Sequence, residues 1–162
     1  MNIPYISAEE VRKNLSMEDA IQCTENVYKL KSQDKTVVWP TIFYEFDPGH
    51  ADMDIKSGYL PEQHIFGHKT VAFMEANVQK GLPDLVGLIA VFSSETGMPL
   101  GLVDGSSVTG MRTGAAGAIG AKYLARKNSQ NALIVRQSGT FPDCCVAEGV
   151  SHAGNDPDRQ SA

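Results

Sequence analysis

Lys69, in the run GHKTV, and Arg112, in the run GMRTGAA, are the two residues whose type and setting best suit holding an anion. Lys69 sits among apolar neighbours in a β-type stretch, so its ammonium either turns to the solvent face or enters a pocket. Lysines are seldom buried, and the solvent face is the usual outcome. Arg112 falls in the first turns of a helix-forming segment, flanked by small residues that leave room for a ligand. A guanidinium beside free backbone N–H groups is a good receptor for carboxylate or phosphate. The alternative is a surface arginine paired with Asp104. Glu45, Asp47, Asp52 and Asp54 cluster about a turn and read as a solvated loop rather than a metal site. His50, His64 and His68 have no third partner at metal-ligand spacing. No Ser–His–Asp or Cys–His arrangement is present. Cys23 stands alone, and Cys144 and Cys145 are adjacent, which fits neither a disulfide framework nor a metal set.

The elements that must position Lys69 and Arg112 follow from caps and periodicity. Ser7 with Glu10, and Ser16 with Asp19, each form a capping-box pattern at a helix start. After Ser16, Ala20, Cys23, Val27 and Leu30 recur at helical spacing, with Ile21, Thr24 and Tyr28 alongside, and form a stripe expected to face a core. From Val37 the pattern turns β-branched and aromatic in TVVWPTIFYEF, where Pro40 demands an edge position or the start of pairing. DPGH marks a turn. HKTVAFMEA, DLVGLIAVFSS and PLGLVDG read as further strands, the last two joined at SETGM by a hairpin loop with Gly97 at positive φ. Such short connections imply a mixed, mainly antiparallel sheet.

The segment SSVTGMRTGAAGAIGAKYLAR reads as a helix capped by Ser106 or Ser107. Gly110, Gly114, Gly117 and Gly120 would each cost an isolated helix about 1 kcal/mol against alanine. They are tolerable where another backbone packs very close. KNSQ breaks the helix, and NALIV restarts as a strand.

At 42% hydrophobic and 20% charged, with net charge −5, the 162-residue chain has a globular composition and no electrostatic reason to bind nucleic acid or an anionic membrane. No apolar run approaches the roughly 18 residues of a membrane span, and MNIPYISAEE lacks a signal layout. The expectation is a reduced, cytoplasmic, metal-free protein.

The stretch GLVDGSSVTGMRTGAAGAIGAKYLARKNSQNALIV, together with MDIKSGYL, GHKTV and KGLPDLVGLIAVFSSETGMPLG, resembles the ornithine cyclodeaminase/μ-crystallin family over roughly Ile6 to Val135. The resemblance implies an α/β protein whose first half is an α+β-like domain that binds substrate and forms a homodimer. A Rossmann domain for NAD or NADP follows in that family. It implies amino- or imino-acid chemistry: ornithine to proline with loss of ammonia, alanine dehydrogenation, or ketimine reduction. Carried over, Lys69 and Arg112 hold the carboxylate of a small amino or imino acid. Two cations would orient the α-carbon toward the nicotinamide, and orientation is a large part of hydride transfer. Lys69 would also act catalytically by polarising the imine or carbonyl, while Arg112 and Thr113 would border the cofactor. Ile42, where many members carry a basic residue after Pro-Thr, and Asp84, where a threonine often follows GLP, weaken the transfer of ornithine specificity. The acidic residue that engages the substrate amine belongs to the family's nucleotide-binding half.

The implied division is residues 1–125 for the substrate and dimerisation domain with its crossing helix, 126–135 for the start of a truncated Rossmann domain, and 136–162 for an off-pattern, disordered tail. After Val135 a glycine-rich turn is expected, to bring backbone against the pyrophosphate. RQSGTFPDCC, with Arg136, Gln137 and Pro142, cannot make it. A reading-frame slip accounts for this. The codons of Phe141–Cys145, read one base later, permit Phe-Gln-Ile-Ala-Ala, an apolar helix start. The alternative is a genuine short form. The chain alone is therefore expected to bind dinucleotide poorly and to turn over little or not at all, with a non-catalytic dimerisation module as the second reading.

Overall fold

The computed structural model describes residues 2–129. The chain opens with β1 (Tyr5–Ile6), α1 (Ala8–Asn14) and α2 (Met17–Ser32). Strands β2 (Val37–Val38), β3 (Ile42–Asp47), β4 (Ala51–Leu60), β5 (Ile65–Met74), β6 (Leu85–Ser93) and β7 (Pro99–Asp104) follow, and then α3 (Gly105–Leu124). The strands form one seven-stranded sheet in the order β1-β7-β6-β5-β4-β2, with β3 also paired to β4. Among the described residues, only the β1–β7 pairing is parallel. The α/β fold with a mixed, mainly antiparallel sheet is thus the expected one. The expected Rossmann strand and off-pattern tail fall mainly on residues 130–162, outside the described residues.

Local chemistry explains most boundaries. Both capping boxes form: Ser7 Oγ accepts from Glu10 N at 3.3 Å and Ser16 Oγ from Asp19 N at 3.1 Å, and each acidic side chain reaches back to its serine N–H. Pro40, which has no N–H to give, separates β2 from β3, and both pair with β4 from the edge of the sheet. Gly97 takes φ +71° in the β6–β7 loop, as that turn requires.

The register sorts the sheet into two faces. Lys69 lies opposite Lys56 on β4 and Ile89 on β6, and Val71 lies opposite Asp54 and Gly87. This is the face on which α3 packs. A Cβ built on Gly105 would stand 2.6 Å from the Gly87 carbonyl carbon, so β6 and the start of α3 meet backbone to backbone. Gly87 N also donates to Ser106 Oγ at 2.9 Å. The close approach expected from the glycine-rich helix is therefore present at Gly105, and Gly110 and Gly114 are buried. At Gly117 and Gly120 an added Cβ meets nothing within 4 Å. The helix cap also differs from expectation. Asp104, not Ser106 or Ser107, accepts from Ser107 N at 2.8 Å. A carboxylate at the strand end reaches the third helical N–H as well as a hydroxyl would, and it leaves Ser106 free to hold Gly87.

The apolar stripe of α2 is the second departure. Ala20 and Glu25 are buried, Leu30 is half-buried, and Cys23, Val27 and Tyr28 are exposed. The helix packs chiefly against α3, through a polar clamp: Glu25 accepts from Lys122 at 2.8 Å and from Tyr123 Oη at 2.5 Å, and pairs with Lys29 at 2.9 Å. Sequence periodicity missed the clamp because its partners are 97 and 98 residues away.

The hydrogen bonds from Lys122, Tyr123 and Lys29 hold the Glu25 carboxyl down to about 2. A depressed carboxyl stabilises the fold above its unfolded pKa, and that contribution is lost as pH falls toward about 2. Urea melts of wild type and Glu25→Gln should therefore differ at pH 7 and converge between pH 4 and 2; a constant gap would show that the clamp does not titrate. Gly105→Ala should lower stability by about 1–3 kcal/mol through forced backbone separation. Gly117→Ala, in open space on the same helix, should raise it by about 1 kcal/mol. Equal effects in the melts would contradict the packing at Gly87.

Candidate functional site

Lys69 is half-buried and points at α3, where its Nζ donates to Thr109 Oγ1 at 2.9 Å. Strand alternation decides the direction. Lys69 shares its face with the buried Val71, so it enters the layer between sheet and helix rather than the solvent. Of the two readings the sequence allowed, the inward one holds. Thr109, 7% exposed, is the contact that sequence reasoning missed. Its position three residues before Arg112 was the available signal, since residues i and i+3 share a helix face.

Arg112 is exposed on the same stretch of α3. It is the eighth residue of the helix, so the free N–H groups of the first turn are not beside it, contrary to the sequence expectation. Asp104 is not its partner: that carboxylate caps the helix, and among the described residues no carboxylate lies within ion-pair distance of the guanidinium. Arg112 nonetheless acts on Lys69. Burial lowers the lysine pKa first, the Arg112 charge lowers it further, Asp54 opposes both, and Lys56 adds a smaller depression. The Arg112 charge is thus felt at Lys69. Thr113 is half-buried, and its hydroxyl donates to Thr109 O at 2.7 Å within the helix.

The acidic residues lie on strands rather than in a solvated loop: Glu45 and Asp47 on β3, Asp52 and Asp54 on β4, where Asp54 Oδ2 takes Lys56 Nζ at 2.5 Å. Asp54 Oδ1 is buried without a partner among the described residues, as is Thr36 Oγ1. An unsatisfied buried acceptor costs about 1–3 kcal/mol, so Asp54 is held beside Lys69 against its own desolvation. His50 pairs with Glu75 at the far end of β5, and His64 lies 3.6 Å from Glu95. Neither histidine joins the Lys69 region. Among the described residues, no group of three His, Cys, Asp or Glu side chains is arranged to hold a metal.

A cavity of about 360 Å³ adjoins Lys69 on the same face of the sheet. Gly58 and Gly67, paired across β4 and β5, form its floor, and Val27, Val38, Ile89 and Val91 stand around it. A side chain at either glycine is blocked, because an added Cβ would meet the Val37 carbonyl oxygen at 2.8 Å or that of Ala90 at 2.6 Å.

The chain is similar to several known proteins. The family model described as "Ornithine cyclodeaminase/mu-crystallin family" matches residues 4–140. An alanine dehydrogenase of Archaeoglobus fulgidus is 37% identical over 132 residues, which are 80% of this chain and 39% of that protein. The solved archaeal alanine dehydrogenase dimer with bound NAD superposes with a TM-score of 0.74, at 37% identity, over 80% of this chain and 39% of that one. The Δ1-pyrroline-2-carboxylate reductase of Thermococcus litoralis, in complex with NADH and L-proline, gives 0.74 at 30% identity over 79% and 40% of the two chains. The chain thus spans about two fifths of the length of these relatives.

Removing the neighbouring charges should move Lys69 in opposite directions. Arg112→Ala should raise its pKa toward the ordinary lysine value, and Asp54→Asn should lower it further. Side-chain NMR titration of Lys69 measures both, and a shift of the same sign in the two variants would refute the charge arrangement.

Proposed function

Because the chain belongs to the ornithine cyclodeaminase/mu-crystallin family, we propose that Lys69 and Arg112 hold the α-carboxylate of a small amino or imino acid in an NAD(P)-dependent amino- or imino-acid enzyme. The observation that carries this reading is a half-buried lysine fixed by Thr109 beside an arginine without a carboxylate partner among the described residues. Two like charges repel, and an anion between them removes the repulsion while accepting charge-assisted hydrogen bonds. Lys69, already hydrogen-bonded and oriented, also polarises the carbonyl or imine carbon next to the carboxylate. NAD or NADP would supply the hydride acceptor or donor. Arg112 and Thr113, on the exposed and half-buried sides of α3, are the residues here that would border it. Residues 1–125 are the substrate and dimerisation unit in this reading, and turnover requires a nucleotide-binding unit in addition.

A second property is favoured by the other face of the sheet. There the register aligns Ile42, Ile55, Thr70 and Leu88 in one row and Tyr44, Met53, Ala72 and Val86 in the next. Ile42 and Tyr44 are 58% and 59% exposed, and Val86 and Leu88 are exposed as well. Such a surface, opposite the helices, suits burial against a second copy of the chain. The relative solved with NAD is a dimer.

The carboxylate reading is tested by titrating L-proline and L-prolinamide into the 162-residue chain, followed by NMR. Proline should bind, prolinamide should not, and Lys69→Ala or Arg112→Ala should each weaken proline binding at least tenfold, the share of about 1.5–3 kcal/mol typical of a hydrogen bond to a charged group. Equal binding of acid and amide would sink the assignment. NAD-linked turnover of ornithine or alanine by this chain at an ordinary enzymatic rate would show that no further unit is needed.

A further inference from the structure

The position of Lys69 and its charge are governed by different neighbours. Thr109 Oγ1 takes one of its N–H groups at 2.9 Å. A hydroxyl can accept from an ammonium or donate to a neutral amine, so Thr109 fixes where Nζ stands in either protonation state. The surrounding groups decide which state that is. Lys56 lies directly opposite Lys69 across β4 and β5, a cross-strand position in which like charges are destabilising. Arg112 on α3 adds a second cation. On β6 the residues that share this face are Gly87, Ile89 and Val91, none of them charged. Asp52 shares it on β4 but stands farther along, opposite Phe73. Glu25 of α2 is taken up by Lys122, Tyr123 and Lys29. Among the described residues this leaves Asp54, next to Lys56 on the same face and opposite Val71, as the carboxylate that acts on Lys69.

We infer that Asp54 is a positioning residue of the proposed carboxylate site: it acts through Lys69 rather than on the ligand, and its negative charge keeps Lys69 an ammonium, able to hold an anion. The inference rests on the carboxylate reading of Lys69 and Arg112. Asp54 Oδ2 is bound to Lys56 at 2.5 Å, and Oδ1 is buried with no hydrogen-bond partner among the described residues. A carboxylate half spent in this way still attracts a nearby ammonium, because Coulomb attraction in a partly buried layer reaches beyond hydrogen-bond distance. Burial, Arg112 and Lys56 all favour the neutral amine at Lys69, and Asp54 is the group that opposes them. Asp54 also repels the anion it helps to hold, and Lys56 reduces that repulsion by pairing with it. Two lysines and one aspartate on two paired strands thus form a unit in which only Lys69 is left to meet a ligand.

The test follows the affinity of the 162-residue chain for L-proline by NMR across the neutral and alkaline range, in wild type, Asp54→Asn, Asp54→Glu, Lys56→Gln and Thr109→Val. The titration of proline itself is common to all and cancels in the ratio to wild type. Where Lys69 is charged in every variant, Asp54→Asn should bind proline as well as wild type does, and Thr109→Val should bind it more weakly. A lysine that has lost its supporting charge gives up its proton at lower pH. On the alkaline side Asp54→Asn should therefore bind about tenfold more weakly than wild type, and Asp54→Glu should restore the loss. Lys56→Gln removes a cation and leaves Asp54 to Lys69 alone, so it should keep its affinity to higher pH than wild type. If Asp54→Asn weakens binding equally at every pH, Asp54 serves only the fold and the inference is overturned. It is overturned as well if Asp54→Asn changes nothing, or if Lys56→Gln loses alkaline affinity as Asp54→Asn does, since Asp54 would then act only on Lys56. In each of these cases proline still binds in preference to prolinamide, and the carboxylate reading stands. Equal binding of proline and prolinamide by wild type is the separate outcome that removes the carboxylate reading and this inference with it.

Discussion

The close passage of α3 over β6 is the constraint on which the rest of this structure depends. Gly87 and Gly105 let two backbones meet with no side chain between them, and Ser106 ties the helix start to the Gly87 N–H. Only at that distance does Thr109, one turn further on, meet Lys69. A helix lifted by a methyl group would leave Lys69 either unpartnered in a half-buried layer or turned out to water. The same placement sets Arg112 near enough to depress the lysine pKa. The Lys69–Thr109 contact is therefore a consequence of the backbone approach at two glycines.

The sheet that carries this arrangement has different chemistry on its two faces. The helix side holds lysines 56 and 69, Asp54 and the glycine-floored cavity. The other side presents Ile42, Tyr44, Val86 and Leu88 to solvent. Few apolar residues of the described portion are buried: Val11, Ala20, Val71, Ala90, Ala115 and Ile119 make up the core. A core of small and medium side chains, with large ones exposed, is what a unit looks like when part of its stabilisation comes from surfaces met elsewhere. The proposed ligand site and the proposed self-association surface thus share strands but not side chains, because alternation along β4, β5 and β6 keeps them apart.

The polar clamp at Glu25 complements the glycine contact. Lys122, Tyr123 and Lys29 converge on one carboxylate and fasten α2 to the last turn of α3, while Arg12 reaches Ser107 near its first turn. The helix that carries Thr109 and Arg112 is therefore held at both ends by side chains from the N-terminal helices. At Gly117 and Gly120 the helix is free of the steric demand that the run of glycines had suggested, while Gly110 and Gly114 nearer its middle are buried.

What the sequence determined by itself was local. Both capping boxes, the interruption at Pro40, the Gly97 turn and the β5, β6 and β7 strands were legible because each rests on interactions spanning a few residues. The family was legible for a related reason, since DGSSVTGMRTGAA concentrates the glycines, the cap and the cation in one segment. Lys69 and Arg112 could be named as candidates, but not placed. Tertiary structure decided that Lys69 turns inward, that Thr109 receives it, that Asp104 serves the helix rather than Arg112, and that Asp54 belongs to a strand beside the lysine instead of a solvated loop. It also decided which part of α2 is buried, against the periodicity of Ala20, Cys23, Val27 and Leu30. Apart from the Asp104 cap, whose partner Ser107 is three residues away, these outcomes depend on partners 15 to 98 residues apart along the chain. Such contacts follow from strand register and from one backbone's closeness to another, and neither quantity is written in any local run of residues.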